Sequence, residues 1–270
     1  MREVIKAFGW VGSVSLRALA ASAVLLLIAK LRRRQLTFGR TRDLVVIGAT
    51  TVALQLAGLG IATPRIGTAM AAIFVGAIPL YTMLIGQLWG IEHITRLGRL
   101  GVVTGLIGMV LLVGFPTHEI NSDFILGCVA MLVGTTAAAF GSNYSHKFLA
   151  TTGSFEQTLG GFFFGGVMTL PLFLLQPIPT TPQLINYVEL ISLAAIFSAL
   201  AYVLYFKLVA EVGPTIAIST EFLVTLVAVV IGVFALGEKL NVLQVIGGLT
   251  IIASCALVLG LVPTRWQKQN

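Results

Sequence analysis

Charge is what this sequence has least of: 10% of its 270 residues are charged, against 57% hydrophobic, and the mean hydropathy is +0.99. A soluble domain carries about 25% charged residues. So few charges cannot cover a water-facing surface, which excludes one large soluble core and makes lipid the solvent for most of the chain. Cysteine is almost as scarce. Cys128 and Cys255 lie in separate apolar runs, where thiols act as packing residues and not as a disulfide or metal pair. No CxxC, HExxH or GxxxxGKS/T pattern occurs, so the sequence gives no case for a metal centre, nucleotide hydrolysis or any cofactor.

What charge there is leans basic, with a net of +7. On a soluble domain that would raise nucleic acid as a partner. Here the basic residues sit in short tracts between apolar runs, without interleaved aromatics, which is how membrane orientation is written. No nucleic-acid partner is expected. The chain's first apolar stretch does not end in a small-residue cleavage site, as a signal peptide would. It runs through Leu26 straight into Lys30, Arg32, Arg33 and Arg34, a membrane anchor held by a basic stop.

A helix needs about 20 mostly apolar residues to cross roughly 30 Å of hydrocarbon. About nine segments meet that length. They run near Val11–Leu31, Leu44–Ala62, Thr68–Trp89, Arg99–Phe115, Phe124–Phe148, Gln157–Leu175, Val188–Val209, Thr215–Leu236 and Val242–Leu261. Transmembrane β-strands would alternate over about ten residues, whereas these runs are continuous and rich in Leu, Ala and Gly. The expected fold is an all-α polytopic bundle in the bilayer.

Orientation follows from the basic residues. With the start of the first span outside, twelve of the 17 Lys and Arg fall on the inner side, and five fall at or near the outer face. The opposite orientation would export the Arg32–Arg34 cluster, so the C-terminus is expected in the cytoplasm. An outside N-terminus leaves two alternatives. Either the amphipathic piece Met1–Trp10 lies on the outer surface, or a first helix is missing from this version of the sequence.

The chain also repeats itself. Residues 67 to 114 can be laid on residues 213 to 260 at a constant offset of 146, pairing Gly67 with Gly213, Gly86 with Gly232, Glu92 with Glu238, Gly101 with Gly247 and Gly114 with Gly260. Glu92 falls inside and Glu238 outside, so the copies are inverted, the symmetry used for alternating access. The two halves are 1–119, with four spans, and 120–270, with five.

At these residues the chain resembles the EamA branch of the drug/metabolite transporters. Ala201-Tyr202-Val203-Leu204-Tyr205-Phe206 is similar to that family's aYllwf signature, and Val212-Gly213-Pro214 follows. Leu236-Gly237-Glu238-Lys239-Leu240 is similar to its LGE-x-L turn, Pro79 precedes Glu92 at the family's spacing, and Leu16-Arg17-Ala18-Leu19 resembles the start of its second helix. The resemblance covers essentially the whole chain and implies ten helices in two five-helix halves with both termini cytoplasmic. By that measure the first helix is absent, and Thr225 stands where the second repeat would carry a proline.

Ionisable groups within a span usually face a cavity or a partner. Glu221 lies about six residues into its helix, roughly 9 Å from the inner boundary. It is a candidate cation or proton site, with a structural pair to Lys207 as the alternative. Arg17 could draw an anionic group or snorkel to the outer interface. A direct Arg17–Glu221 bridge is not expected, because their depths differ by something like half the core. Asn143 and Tyr202 are cavity candidates, although helix–helix hydrogen bonds explain such residues equally well. Trp10, Trp89 and Trp266 read as interface residues, His146 and Lys147 as solvated or snorkelling, and Glu92 and Glu238 as turn residues capping the helices after them. Three Gly-xxx-Gly spacings, at Gly86, Gly101 and Gly161, allow close helix approach and leave a homodimer open.

The leading expectation is a gradient-driven transporter of a small metabolite or drug-like solute, with no catalytic residues. The alternatives are a truncated or non-transporting membrane subunit, or an intramembrane enzyme. The last would need a nucleophile–base pair or a metal set at helix spacing, and neither is evident.

Overall fold

The structure is a computed structural model and describes residues 2–92, 94–113, 121–175, 181–224, 227 and 242–258. Among these, every regular element is a helix, since only intra-helical hydrogen bonding or a closed barrel satisfies the backbone in lipid. Helix α1 (Arg2–Leu31) breaks at Gly9. Helix α2 (Thr41–Ile47) passes through a π-helical turn, Gly48–Leu54, into α3 (Gln55–Gly76), which breaks at Gly67. Then come α4 (Ile78–Leu88), α5 (Arg96–Val113), α6 (Ser122–Phe148) and α7 (Ser154–Leu175). Helix α8 (Leu184–Leu193) passes through a second π-helical turn, Ala194–Leu200, into α9 (Ala201–Val212). Helix α10 (Pro214–Ile218) extends past Ser219 as the apolar helix Pro214–Val224, and α11 is Val242–Val258.

Among the described residues, six helical stretches are long and apolar enough to cross a membrane: Ala7–Leu31, Thr41–Gly67, Met70–Leu88, Ser122–Phe148, Ser154–Leu175 and Leu184–Val212. The other three expected spans fall on α5 and on the shorter helices Pro214–Val224 and Val242–Val258. The segment that one of the two alternatives placed on the outer surface is helical from Arg2 and packs on α8. Val4, Ala7 and Phe8 are buried with Leu190, and the Phe8 ring meets Tyr187 edge-on at 5.1 Å. A face this apolar is better covered by a partner helix than left at the interface.

The repeat is written in the backbone itself. The π-helical turns Gly48–Leu54 and Ala194–Leu200 stand 146 residues apart at both ends. So do the two helix breaks, Gly67 (φ 78°, ψ 163°) and Gly213 (φ 86°, ψ 161°). The copies are inverted. Arg34, just past α1, bonds Glu156 in the first turn of α7, and Asp43 of α2 bonds Tyr144 near the end of α6. One cleft is lined by Glu92 after α4, Gly98 of α5, His146 of α6, Glu211 of α9, Thr215 of α10 and Val258 of α11. Taken in matched pairs, α1 ends where α7 begins, α2 begins where α9 ends, and α5 begins where α11 ends.

Lipid tails are as apolar as leucine, so helices in a bilayer associate through close packing of small residues. Helices α5 and α11 run antiparallel with Gly108 against Gly247. A Cβ added to Gly247 would stand 2.7 Å from the Gly108 carbonyl oxygen, and Ser254 Oγ donates to Gly101 O at 2.7 Å. Gly161 and Gly165 likewise pack inside the bundle, against Gly48 of the first π-helical turn. Two of the three Gly-xxx-Gly spacings are thus spent on contacts within the chain. The third is not a packing motif, because Gly90 is a turn residue at φ 64° with nothing near its Cβ position. The residues expected at Gly114, Thr225, Gly232, Leu236 to Leu240, Gly260 and Trp266, and the boundary at 119/120, lie outside the described residues.

Candidate functional site

Tyr202 and Tyr205 stand three residues apart on α9 and therefore share a face. Tyr202 meets Phe162 of α7 edge-on at 4.9 Å, with Tyr205 at 6.1 Å and Phe206 at 6.2 Å. One side of Tyr202 packs on the cluster of Ala18, Ala21 and Leu25, the other on Leu44, Ile47 and Phe206. This wall of aromatic rings joins the first half to the second.

Arg17 and Glu221, both half-buried, each lie within electrostatic reach of Tyr202. The sequence sets the two at separate levels of one pathway, and both act on this one phenol. Tyr205 lies within reach of Tyr202, Glu221 and Glu92, and its hydroxyl donates to Ser142 Oγ at 2.8 Å. Lys207 is not the partner of Glu221. Its Nζ is 3.7 Å from Glu211 Oε1, one turn further along α9, and both side chains are more than half exposed. Phe206 and Val209 of the same helix are buried, so Lys207 and Glu211 occupy its outer stripe.

Asn143, the fourth candidate, follows Ser142, which accepts from Tyr205. It is fully buried, and its Nδ2 donates to the carbonyls of Thr82 and Ala139, each at 3.0 Å, tying α6 to α4. Its Oδ1 has no donor among the described residues.

Glu92 does not cap α5, the helix that follows it. Its carboxylate accepts the Thr215 amide at 3.2 and 3.3 Å, so it caps α10, in the other half of the chain. The local sequence explains this. Proline at the first helical position of α10 has no N–H, and the Gly213 amide is spent on Val209 O, so Thr215 is the first unsatisfied donor. Gly213 lacks a Cβ at the point where one would collide with Glu92 Oε1. Beside this joint opens a cleft of about 490 Å³, lined by Glu92, Thr95, His146, Glu211, Thr215 and Ile216. Glu238, the repeat counterpart of Glu92, lies outside the described residues.

His146 is less solvated than expected. A carbonyl only accepts, so its contact of 2.9 Å with Val209 O puts the proton on Nδ1 and links α6 to α9. Lys147 remains exposed, 5.4 Å from the centre of the Trp89 ring, as a snorkelling residue would be.

Sequence reasoning passed over three residues. Tyr205 stood inside a recognised motif but was not separated from its neighbours. The ion pair of Glu156 with Arg34 gave no signal, because its partners are 122 residues apart. Glu189 sat at the edge of the expected span. The structure starts α8 at Leu184, which puts Glu189 inside the helix, with Oε2 buried and no donor among the described residues.

A profile of the EamA-like transporter family matches residues 125–260. Protein PecM of Dickeya dadantii (strain 3937) is 28% identical over 246 residues, 90% of this chain and 80% of that protein. A protein of Escherichia coli (strain K12), the uncharacterized inner membrane transporter YedA, is 26% identical over 250 residues, with the same shares. A crystal structure of a protein 16% identical superposes with a TM-score of 0.79, covering 94% of this chain and 89% of that one, which shows the fold. Apolar helices of spanning length, an inverted repeat and transporter relatives along nine-tenths of the sequence lead to one statement: this chain belongs to the EamA-like transporter family and is an integral inner-membrane transporter of the drug/metabolite type.

Proposed function

We propose that this protein is a secondary transporter or exporter of a small metabolite or drug-like solute across the cytoplasmic membrane, working by alternating access between its two halves. The observation that carries the reading is the repeated backbone. Two π-helical turns and two glycine breaks recur at one offset in elements that run in opposite directions. Two copies of one fold facing opposite sides can exchange conformations, which opens a shared site first to one side and then to the other. A subunit that moves nothing has no use for that symmetry.

Arg17, Tyr202 and Glu221 are the residues we assign to solute binding. An aromatic ring with a guanidinium and a carboxylate in reach suits a solute that has a flat apolar body and polar ends. The solute is the partner, with lipid around it. We place the C-terminus in the cytoplasm on the distribution of basic residues, and in this reading the chain performs no catalysis, binds no nucleic acid and needs no cofactor. A gradient is the energy source, because the sequence carries no phosphate-binding loop. A homodimer remains open in this reading, although two of the Gly-xxx-Gly spacings are used within the chain.

The test is mass spectrometry of the medium around cells expressing the wild type or Glu221→Gln, followed by flux of each released solute in proteoliposomes. At least one solute should be released by the wild type and held back by the variant. Identical profiles from wild type, variant and empty vector would remove the transport reading.

A further inference from the structure

Asn143 spends both hydrogens of Nδ2 on carbonyl oxygens, those of Thr82 and Ala139. This fixes the amide, since the flipped rotamer would turn Oδ1 against two other acceptors. Oδ1 therefore points over Gly86. A Cβ on Gly86 would lie 3.0 Å from Asn143 Oδ1 and 3.5 Å from Glu92 Oε2, so both oxygens approach one small space. Asn143 is fully buried and no donor of the described chain reaches Oδ1, a costly state for an acceptor. Among the described residues Glu92 accepts only the Thr215 amide and keeps lone pairs to spare. Two groups that only accept, over a residue with no side chain, call for a positive charge or a proton between them.

We propose that Glu92 Oε2 and Asn143 Oδ1, above Gly86, form a site for a small monovalent cation, either Na⁺ or a proton carried by the carboxyl or by a bridging water, and that this is the coupling ion of transport. The proposal rests on the gradient-driven reading above. One carboxylate balances a single positive charge and not the two of Ca²⁺, and water would complete the oxygen shell of a bound Na⁺. The charged and titratable groups facing Glu92 fit a cation. His146 comes from α6, with its Nδ1 proton already given to Val209 O. Tyr205 and Glu211 come from α9, Glu211 with Lys207 Nζ at 3.7 Å on its exposed side, and the lining from the turn before α5 and from α10 includes the neutral Thr95 and Thr215. The coupling is local: the carboxylate that binds the ion also caps α10 and joins the α4–α5 turn to the second half. A cation on Oε2 draws charge from that cap, so ion binding loosens the contact between the halves at this end of the bundle.

The test measures the ion and not transport. Full-length protein in lipid nanodiscs is titrated with NaCl at constant ionic strength, choline replacing sodium. Infrared difference spectra across a pH step look for a protonated carboxyl. The wild type should show saturable Na⁺ binding or a protonating carboxyl, and the first or the second tells Na⁺ from proton. That signal should vanish in Glu92→Gln, which keeps the shape and an acceptor for Thr215, and persist in Asp123→Asn. Gly86→Ala, which puts a methyl between the two oxygens, should weaken it about tenfold or more. If Gly86→Ala does not fold, Glu92→Gln decides alone. A wild type with neither signal, or a Glu92→Gln variant with an undiminished one, overturns the proposal. Binding lost while solute flux persists would remove this site and leave the transporter; binding present without flux would do the reverse.

Discussion

Gly213→Ala strikes the joint between the halves in two separable ways. The first is backbone strain. At φ 86°, ψ 161°, Gly213 occupies a region open almost only to glycine, and any other residue costs about 1–3 kcal/mol there. The second is collision. The new Cβ would meet Glu92 Oε1, so the carboxylate must withdraw and release the Thr215 amide. A hydrogen bond to a charged group is worth about 1.5–3 kcal/mol. Together they predict a loss of about 2.5–6 kcal/mol, nearer the lower figure if water reaches the freed amide. The assay is unfolding by titration from a mild detergent into SDS, followed by tryptophan fluorescence, for Gly213→Ala, Glu92→Ala and the double variant. Trp89 packs edge-on against Phe140 at 5.0 Å, three residues from Glu92, and reports on the joint. With Glu92 already removed, Gly213→Ala should cost only its strain of about 1–3 kcal/mol, so the cycle should be non-additive by the value of the cap. Gly67→Ala, at the matching break, should also cost about 1–3 kcal/mol. A Gly213→Ala effect below about 0.5 kcal/mol would refute the backbone geometry. An additive cycle would refute the Glu92 contact.

Three further outcomes follow from other parts of the bundle. Arg34→Ala leaves the Glu156 carboxylate, whose side chain is 3% exposed, without its bidentate partner, and should cost about 1–3 kcal/mol in the same titration; Glu156→Gln in that background should restore part of it. Lys207→Met removes an exposed ion pair and should move stability by no more than about 1 kcal/mol, with flux unchanged; a larger loss would mean that Lys207 serves the site after all. Gly247→Leu forces a side chain against the Gly108 carbonyl and should cost about 1–3 kcal/mol or more, read as a lower thermal aggregation midpoint; a neutral result would deny the close α5–α11 contact.

The residues differ in how legible they were. Glu92 was recognised as a capping residue from its place in a turn, but not which helix it caps. A carboxylate next to a helix start is a local fact, whereas its donor, Thr215, is 123 residues away. A pair of Lys207 with Glu221 was the alternative that depth allowed. Depth alone does not say which way a helix faces, and the partner proved to be Glu211 on the same outer stripe. Tyr205 and Glu189 were in view and not weighed, one as part of a motif and the other as a boundary residue.

The sequence by itself determined that the chain is a helical membrane bundle, where most of the described helices lie, and the offset of 146 between the copies. Those follow from local physics: a backbone in lipid must bond to itself, so apolar runs of spanning length are helices, and glycines recur where each half breaks its backbone in the same way. Only the tertiary structure decided which side chains meet. The phase of a helix changes by about 100° for each residue inserted into a turn, and both α2–α3 and α8–α9 pass through a π-helical turn. A 3.6-residue reading carried across those turns points the wrong face inward. The rotation that brings Tyr202 towards Arg17 and Glu221, and leaves Lys207 outside, is therefore a property of the packed bundle.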